Sequence, residues 1–230
     1  AAASMPPPMI DPHTLLLYGH LVLFVYWLGP DWGVYVTTHY ICKAGLPIEE
    51  RRRFLAAMLR IDLVPRSCLI LLFPVGLSLA DGLGLSPVTG LWLIPVWVFF
   101  IAWLLLSWGV YINKGPGNGT TFRKIDNGLR WVVAPVLVLT GAVSLVLDIG
   151  FGTSWLGLKV MLFGVLVFIG LWLRSFVGDL VLGFQRLGAE GSTPEVEAIF
   201  SSMLARSKPV AYLFWGTSLL LAFLGLAKPF

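Results

Sequence analysis

Three residues able to carry acid–base or ligand chemistry, His20, Asp31 and His39, lie inside one apolar run, Leu15 to Tyr40, reading LLLYGHLVLFVYWLGPDWGVYVTTHY. A run of this kind covers the roughly 30 Å hydrocarbon core of a bilayer at about 1.5 Å per residue. An ionisable group inside it costs on the order of 3 kcal/mol unless it is paired or faces a cavity, so histidines and acids at that depth mark ion routes or bound groups. At about 100° per residue, His20, Trp27, Asp31 and Thr38 fall on one stripe of a helix, and His13 joins the stripe if the helix begins earlier. The stripe is expected to face other helices rather than lipid. Pro30 removes an amide donor and frees the carbonyl of Tyr26, which predicts a kink beside Asp31.

Other residues of chemical interest are more scattered. Met5, Met9 and His13 stand among prolines, and thioether and imidazole ligands suit Cu(I); the competing and favoured reading is an extended, Pro-stiffened tail. Asp62, Arg66, Arg174 and Asp179 are expected to form an ion-pair network tying two spans together near one membrane face. His39 is expected to be interfacial and solvated. Cys42 and Cys68 are too far apart to make a metal motif, and a cytoplasmic location would keep them reduced. No Gly-rich phosphate loop, paired catalytic carboxylates or nucleophile with a base at a telling spacing is present, so soluble-enzyme chemistry is not indicated.

The elements that must position these residues follow from composition and hydropathy. The chain has 230 residues, 57% hydrophobic and 12% charged, with a mean hydropathy of +0.86. This is the profile of an integral membrane protein. The expected fold is all-α: a polytopic membrane helical bundle forming a single transmembrane domain, residues 1–230. Six transmembrane helices are expected at 15–40, 63–80, 88–112, 131–147, 155–184 and 210–226. Two cytoplasmic interfacial helices, 47–60 and 193–207, carry apolar stripes. Ser192 to Glu195 has capping-box spacing, and NKGPGNGTTFRKIDNGLR reads as a loop. Spans two and three also echo spans four and five, Asp62 and Arg66 matching Asp126 and Arg130.

Lys43, Arg51, Arg52, Arg53, Arg60, Lys114, Arg123, Lys124, Arg130, Arg186, Arg206 and Lys208 fall in the odd-numbered connections, whereas the turns around Asp81 and Asp148 carry no basic residue. By the positive-inside rule both termini face outward. The same bias accounts for the net charge of +4, so nucleic-acid binding is not expected. The opening segment lacks a basic n-region and reads as a tail rather than a signal peptide. His20 lies about four to six residues below the outer end of its span, and Lys159 lies four below Trp155. The two therefore share a level, which points to a joint site in the outer half of the membrane. The alternative is that Lys159 snorkels and His20 bonds a carbonyl.

His20, Trp27, Gly29 and His39 resemble the first helix of the membrane protoporphyrinogen oxidases of HemJ type and their relatives in the CopD superfamily. Trp155-Leu156-Gly157-Leu158-Lys159 resembles that family's Trp-Leu-x-x-Lys helix. The resemblance implies a haem b or porphyrin site with His20 as the iron ligand and Lys159 as its functional partner. Trp27 and Asp31 stand beside it, and Gly157 and Gly164 are candidates for making room for the ring. The chain also resembles bacterial multi-pass membrane proteins, which implies a bacterial cytoplasmic (inner) membrane with periplasmic termini.

Three functions are compatible with these residues. The favoured one is a haem- or porphyrin-binding redox protein. The second is a copper or ion permease, with Met9, His13, His20 and Asp31 along its path. The third is a non-catalytic subunit of a larger membrane complex. Beyond the lipid bilayer, the partners expected are a second copy of the chain or such a complex.

Overall fold

A computed structural model describes residues 11–113 and 118–229. Eight helices run in chain order: α1 (Pro12–Ile41), α2 (Ile48–Ile61), α3 (Leu63–Gly82), α4 (Leu93–Ile112), α5 (Asn118–Leu147), α6 (Ser154–Ser175), α7 (Val177–Glu190) and α8 (Pro194–Ala227), with a short 3-10 turn at Gly90–Trp92. No strand occurs among the described residues. The protein is a helical bundle of membrane type. Five stretches, Ile48–Gly82, Gly90–Ile112, Gly119–Leu147, Ser154–Glu190 and Pro194–Ala227, are long and apolar enough to cross a bilayer. Helix α1 has 30 residues and runs unbroken through Pro30 but is not among them; its polar stripe and Gly29-Pro30-Asp31 dilute an otherwise apolar helix.

Local chemistry sets the helix ends. The Asp11 carboxylate caps α1 by accepting the amide of Thr14 at 2.6 Å, with Pro12 in the first helical turn where a missing donor costs nothing. That hydrogen bond, more than any other influence, holds the exposed Asp11 carboxyl below its ordinary range. Helix α2 opens with Glu49 and Glu50 and closes with Arg60, charges that complement its dipole. Thr193, rather than Ser192, caps α8 by accepting the amide of Val196 at 3.3 Å. The Ser192 hydroxyl instead donates to Glu197 at 2.6 Å.

Three boundaries differ from the sequence expectation. The helix expected over 155–184 breaks at Phe176 into α6 and α7. The second interfacial helix and the last span are one continuous 34-residue helix that passes through Pro209. Helix α5 begins at Asn118, so most of the expected loop before residue 131 is helical.

Around the bundle α1 neighbours α3, which neighbours α4, and the circuit continues through α5, α6 and α8 back to α1. Helices α5 and α6 approach most closely, because Gly141, Gly157 and Gly164 let the backbones touch. One apolar cluster joins α3, α4, α5 and α6 around Ile70, Phe100, Trp103 and Leu137. A second joins α1, α3, α6 and α8 around Trp27, Leu72, Leu166 and Phe214. The third gathers the end of α1 with α7 and the first half of α8 around Ile41, Leu187 and Phe200. Helix α4 buries only Phe100, Trp103 and Ser107. Its remaining apolar surface suits contact with lipid.

Candidate functional site

The stripe on α1 points inward, as its spacing requires, and it lines two cavities rather than one. The first, about 450 Å³, lies between α1, α3, α6 and α8 at the end of the bundle where α1 begins and α8 finishes. This is within the range of sites that hold small molecules. His13, His20, Lys159 and Lys228 supply its charged or titratable lining, and no carboxylate of the described residues lines it. The rest of the wall is apolar and aromatic, including Phe24, Trp27, Phe73 and Trp155. The cavity is therefore an electropositive, ring-lined space.

His20 packs against α3 at Gly76, where a Cβ would stand 3.2 Å from Cε1. Its Nδ1 is buried and has no hydrogen-bond partner among the described residues. The alternative in which His20 bonds a carbonyl is therefore not what the geometry gives at Nδ1. Lys159 reaches toward α8 and closely approaches Gly225, where an added methyl group would require its ammonium to move. Among the described residues, no carboxylate lies within 4.0 Å of that ammonium. Lys228 ends α8 with φ 43° and sits 5.9 Å from the centre of the Trp155 ring. His20 and Lys159 thus share one chamber.

The second cavity, about 260 Å³, lies toward the end carrying α2 and α7 and is lined by Asp31, Asp62, Arg66, Arg130 and Arg174 among others. Trp27 lines both cavities. It is 3% exposed, and it meets Phe24 and Phe214 edge-on at 5.9 and 5.8 Å. The indole is a partition between the chambers. Asp31 accepts from Trp215 Nε1 at 2.7 Å, so it belongs to the second chamber and not to the first.

The expected four-residue ion network takes a different form. Asp62 pairs with Arg66, but Asp179 pairs with Arg206 at 2.8 Å. Arg174 turns instead to Asp126, at 2.9 Å. Asp126, fully buried, also accepts from Trp103 Nε1 at 2.9 Å and from Arg130 Nη2 at 3.3 Å. The central acid was missed as a site residue. Its signal was the Asp126–Arg130 spacing of four, the same as Asp62–Arg66, inside an apolar helix.

Other expected residues are placed as follows. Met5 and Met9 lie outside the described residues, and no group of three or more His, Cys, Asp or Glu side chains among the described residues could hold a metal ion. His39 lines neither cavity and donates from Nδ1 to the Tyr35 carbonyl at 3.0 Å. Gly157 and Gly164 do not open space beside His20: a Cβ at Gly164 would meet the Val138 amide nitrogen at 2.7 Å, and one at Gly157 the Ser144 hydroxyl at 3.0 Å. Both serve the α5–α6 contact, and Gly76 and Gly225 make the room in the cavity. Both cysteines are free and buried. Burial pushes the Cys42 thiol, just beyond the end of α1, up to about 11. No family model matches the chain, and neither a curated protein nor a solved structure matches it.

Proposed function

We propose that the protein is a six-span membrane protein that binds a haem b or related porphyrin in the larger cavity and uses it for electron transfer. The observation that carries this reading is the joining of His20 and Lys159 in one aromatic chamber of about 450 Å³ that no carboxylate of the described residues lines. A porphyrin is an apolar ring with carboxylates at one edge, and the chamber offers both kinds of complement. In this reading His20 ligates the iron, while Lys159 and Lys228 hold the carboxylates by charge-assisted hydrogen bonds. Bound haem supplies one-electron chemistry; the protein excludes water with Trp27, Phe24 and Phe73 and fixes the edge of the ring with its two ammonium groups.

Six spans require α1 to cross the bilayer with the five more apolar stretches, and its place in the circuit between α3 and α8 supports this. The arginine-rich end carrying α2 and α7 then faces the cytoplasm as the two interfacial helices, the second being the first half of α8. The larger cavity opens toward the outer side of a bacterial inner membrane. The test is an absorption spectrum of detergent-purified protein, oxidised and dithionite-reduced, beside His20→Ala. A Soret band that sharpens on reduction and is lost in the variant supports the proposal. A flat spectrum of protein taken from its own membrane rejects it and leaves a non-catalytic helical subunit, alone, dimeric or in a larger complex.

A permease is the second reading, favoured by two chambers that approach each other from opposite ends at Trp27. Metal- or ion-dependent flux in proteoliposomes, abolished by Asp31→Asn, would support it.

A further inference from the structure

We propose that the smaller cavity is an oxyanion site, built to take a phosphate group, either free or as the headgroup of a lipid. Its construction differs from that of an ordinary ion-pair network. Three guanidinium groups converge on it from separate helices: Arg66 in the first turn of α3, Arg130 within α5 and Arg174 in the last turn of α6. Two carboxylates answer them. Asp62 takes Arg66, and Asp126 is shared between Arg130 and Arg174. Asp126 has little more to give, because its Oδ1 also accepts the Trp103 indole at 2.9 Å.

Among the described residues, carboxylates take up only part of these forks. Each guanidinium carries five N–H groups in a planar fork. The side-chain hydrogen bonds they make in the cluster are one from Arg66, two from Arg130 and one from Arg174. Three like charges share this space at considerable Coulomb cost, since Arg130 is 5% exposed and Asp126 fully buried. Asp31 also lines the cavity, but it is held by Trp215 and has no arginine within 4.0 Å. An oxyanion seated among the three forks would accept several of their N–H groups at once, as arginine-rich phosphate sites do. Leu69, Leu173, Phe176 and Met203 complete the wall. Such an apolar rim would accommodate either a bare anion or the glycerol end of a lipid.

The experiment uses the full chain in detergent. Thermal unfolding is followed as sodium phosphate is titrated at constant ionic strength against sodium chloride, for the wild type, Arg66→Gln, Arg174→Gln and, as a control at an exposed arginine outside both cavities, Arg52→Gln. A saturating rise in Tm of about 5–10 °C at a hundredfold excess over Kd is expected for the wild type and for Arg52→Gln. Loss of the rise is expected in Arg66→Gln and Arg174→Gln. Arg66→Gln leaves both partners of the buried Asp126 in place and so serves as the deciding variant if Arg174→Gln does not fold. In a second arm, native mass spectrometry compares adducts with phosphatidic acid and with phosphatidylcholine. A phosphatidic acid adduct lost in Arg66→Gln assigns the lipid headgroup, and a phosphate-dependent shift without such an adduct assigns the free ion. No shift and no selective adduct, or shifts equal in wild type, Arg66→Gln and Arg174→Gln, would overturn the proposal.

Discussion

Replacing Gly164 by alanine should destabilise the protein even though alanine is the better helix former. The added Cβ would stand 2.7 Å from the Val138 amide nitrogen and 2.8 Å from the Ala134 carbonyl oxygen. Both are backbone atoms of α5, so no rotamer change can relieve the contact. Ordinary contact begins near 3.4 Å, and moving from 2.7 Å to 3.4 Å requires the helices to part locally by about 0.7 Å. Overpacking of this kind costs about 1–3 kcal/mol, against a helix-propensity gain of about 1 kcal/mol for leaving glycine. The net is a loss of up to about 2 kcal/mol. Gly216→Ala on α8 is the matched control: its Cβ would have nothing within 4 Å, and it should be neutral or stabilising by up to about 1 kcal/mol. Both variants can be compared with wild type by unfolding in mixed detergent micelles, following far-UV circular dichroism. Equal stability of Gly164→Ala and Gly216→Ala would refute the assignment of Gly164 to helix packing. Loss of bound haem from Gly164→Ala with unchanged apoprotein stability would return the residue to the cavity wall.

Three further outcomes are expected. Asp126→Asn strands Arg130 and Arg174 without their shared charge and should cost about 3–5 kcal/mol, read as a lowered midpoint in the same unfolding titration; an unchanged midpoint would mean that the two arginines find other partners. The Cys42 thiol, ordinarily near 9 and raised by burial to about 11, should react with iodoacetamide at pH 8 about a hundredfold more slowly than in the unfolded chain, from its thiolate fraction alone. Because its folded value is the higher one, the stability it contributes is complete below pH 9 and declines as the pH rises toward 11; a Cys42→Ala variant should lack that decline. Gly76→Leu would drive a side chain against the His20 ring, 3.2 Å from where its Cβ begins, and should reduce the haem-to-protein ratio severalfold in a pyridine haemochrome assay while Gly19→Ala, in open space, leaves it unchanged.

The parts of this fold that depend on neighbours along the chain are readable from the sequence, and those that depend on distant neighbours are not. His13, His20, Trp27, Asp31 and Thr38 sit on one face because helical geometry repeats locally, and they all line the cavities. That His20 and Lys159 share a chamber followed from counting depth along two spans. By contrast, the break at Phe176 and the continuity through Pro209 are decided by packing. Phe176 lies against the α1–α3–α6–α8 core and also against the α7–α8 cluster, whereas α8 buries Val196, Phe200 and Met203 before Pro209 and Val210 and Phe214 after it. Arg174 was expected to pair with Asp62 or Asp179, both near it in depth. Only the close approach of α5 and α6 brings it to Asp126, 48 positions away. The roles of Gly76 and Gly225 were hidden for the same reason, since a glycine in an apolar helix does not announce which side chain it faces.

The indole of Trp27 has an electrical consequence. With no ligand bound, water entering either chamber would carry the potential of its own side inward, so in a polarised bilayer the voltage drop would be concentrated on the layer of rings formed by Phe24, Trp27 and Phe214. A charge moved across that layer would exchange about 2.3 kcal/mol with a potential of 100 mV, although it travels a small part of the membrane thickness. Lys159 and Asp31, on opposite sides of the tryptophan, stand at the two faces of what is in effect a thin capacitor.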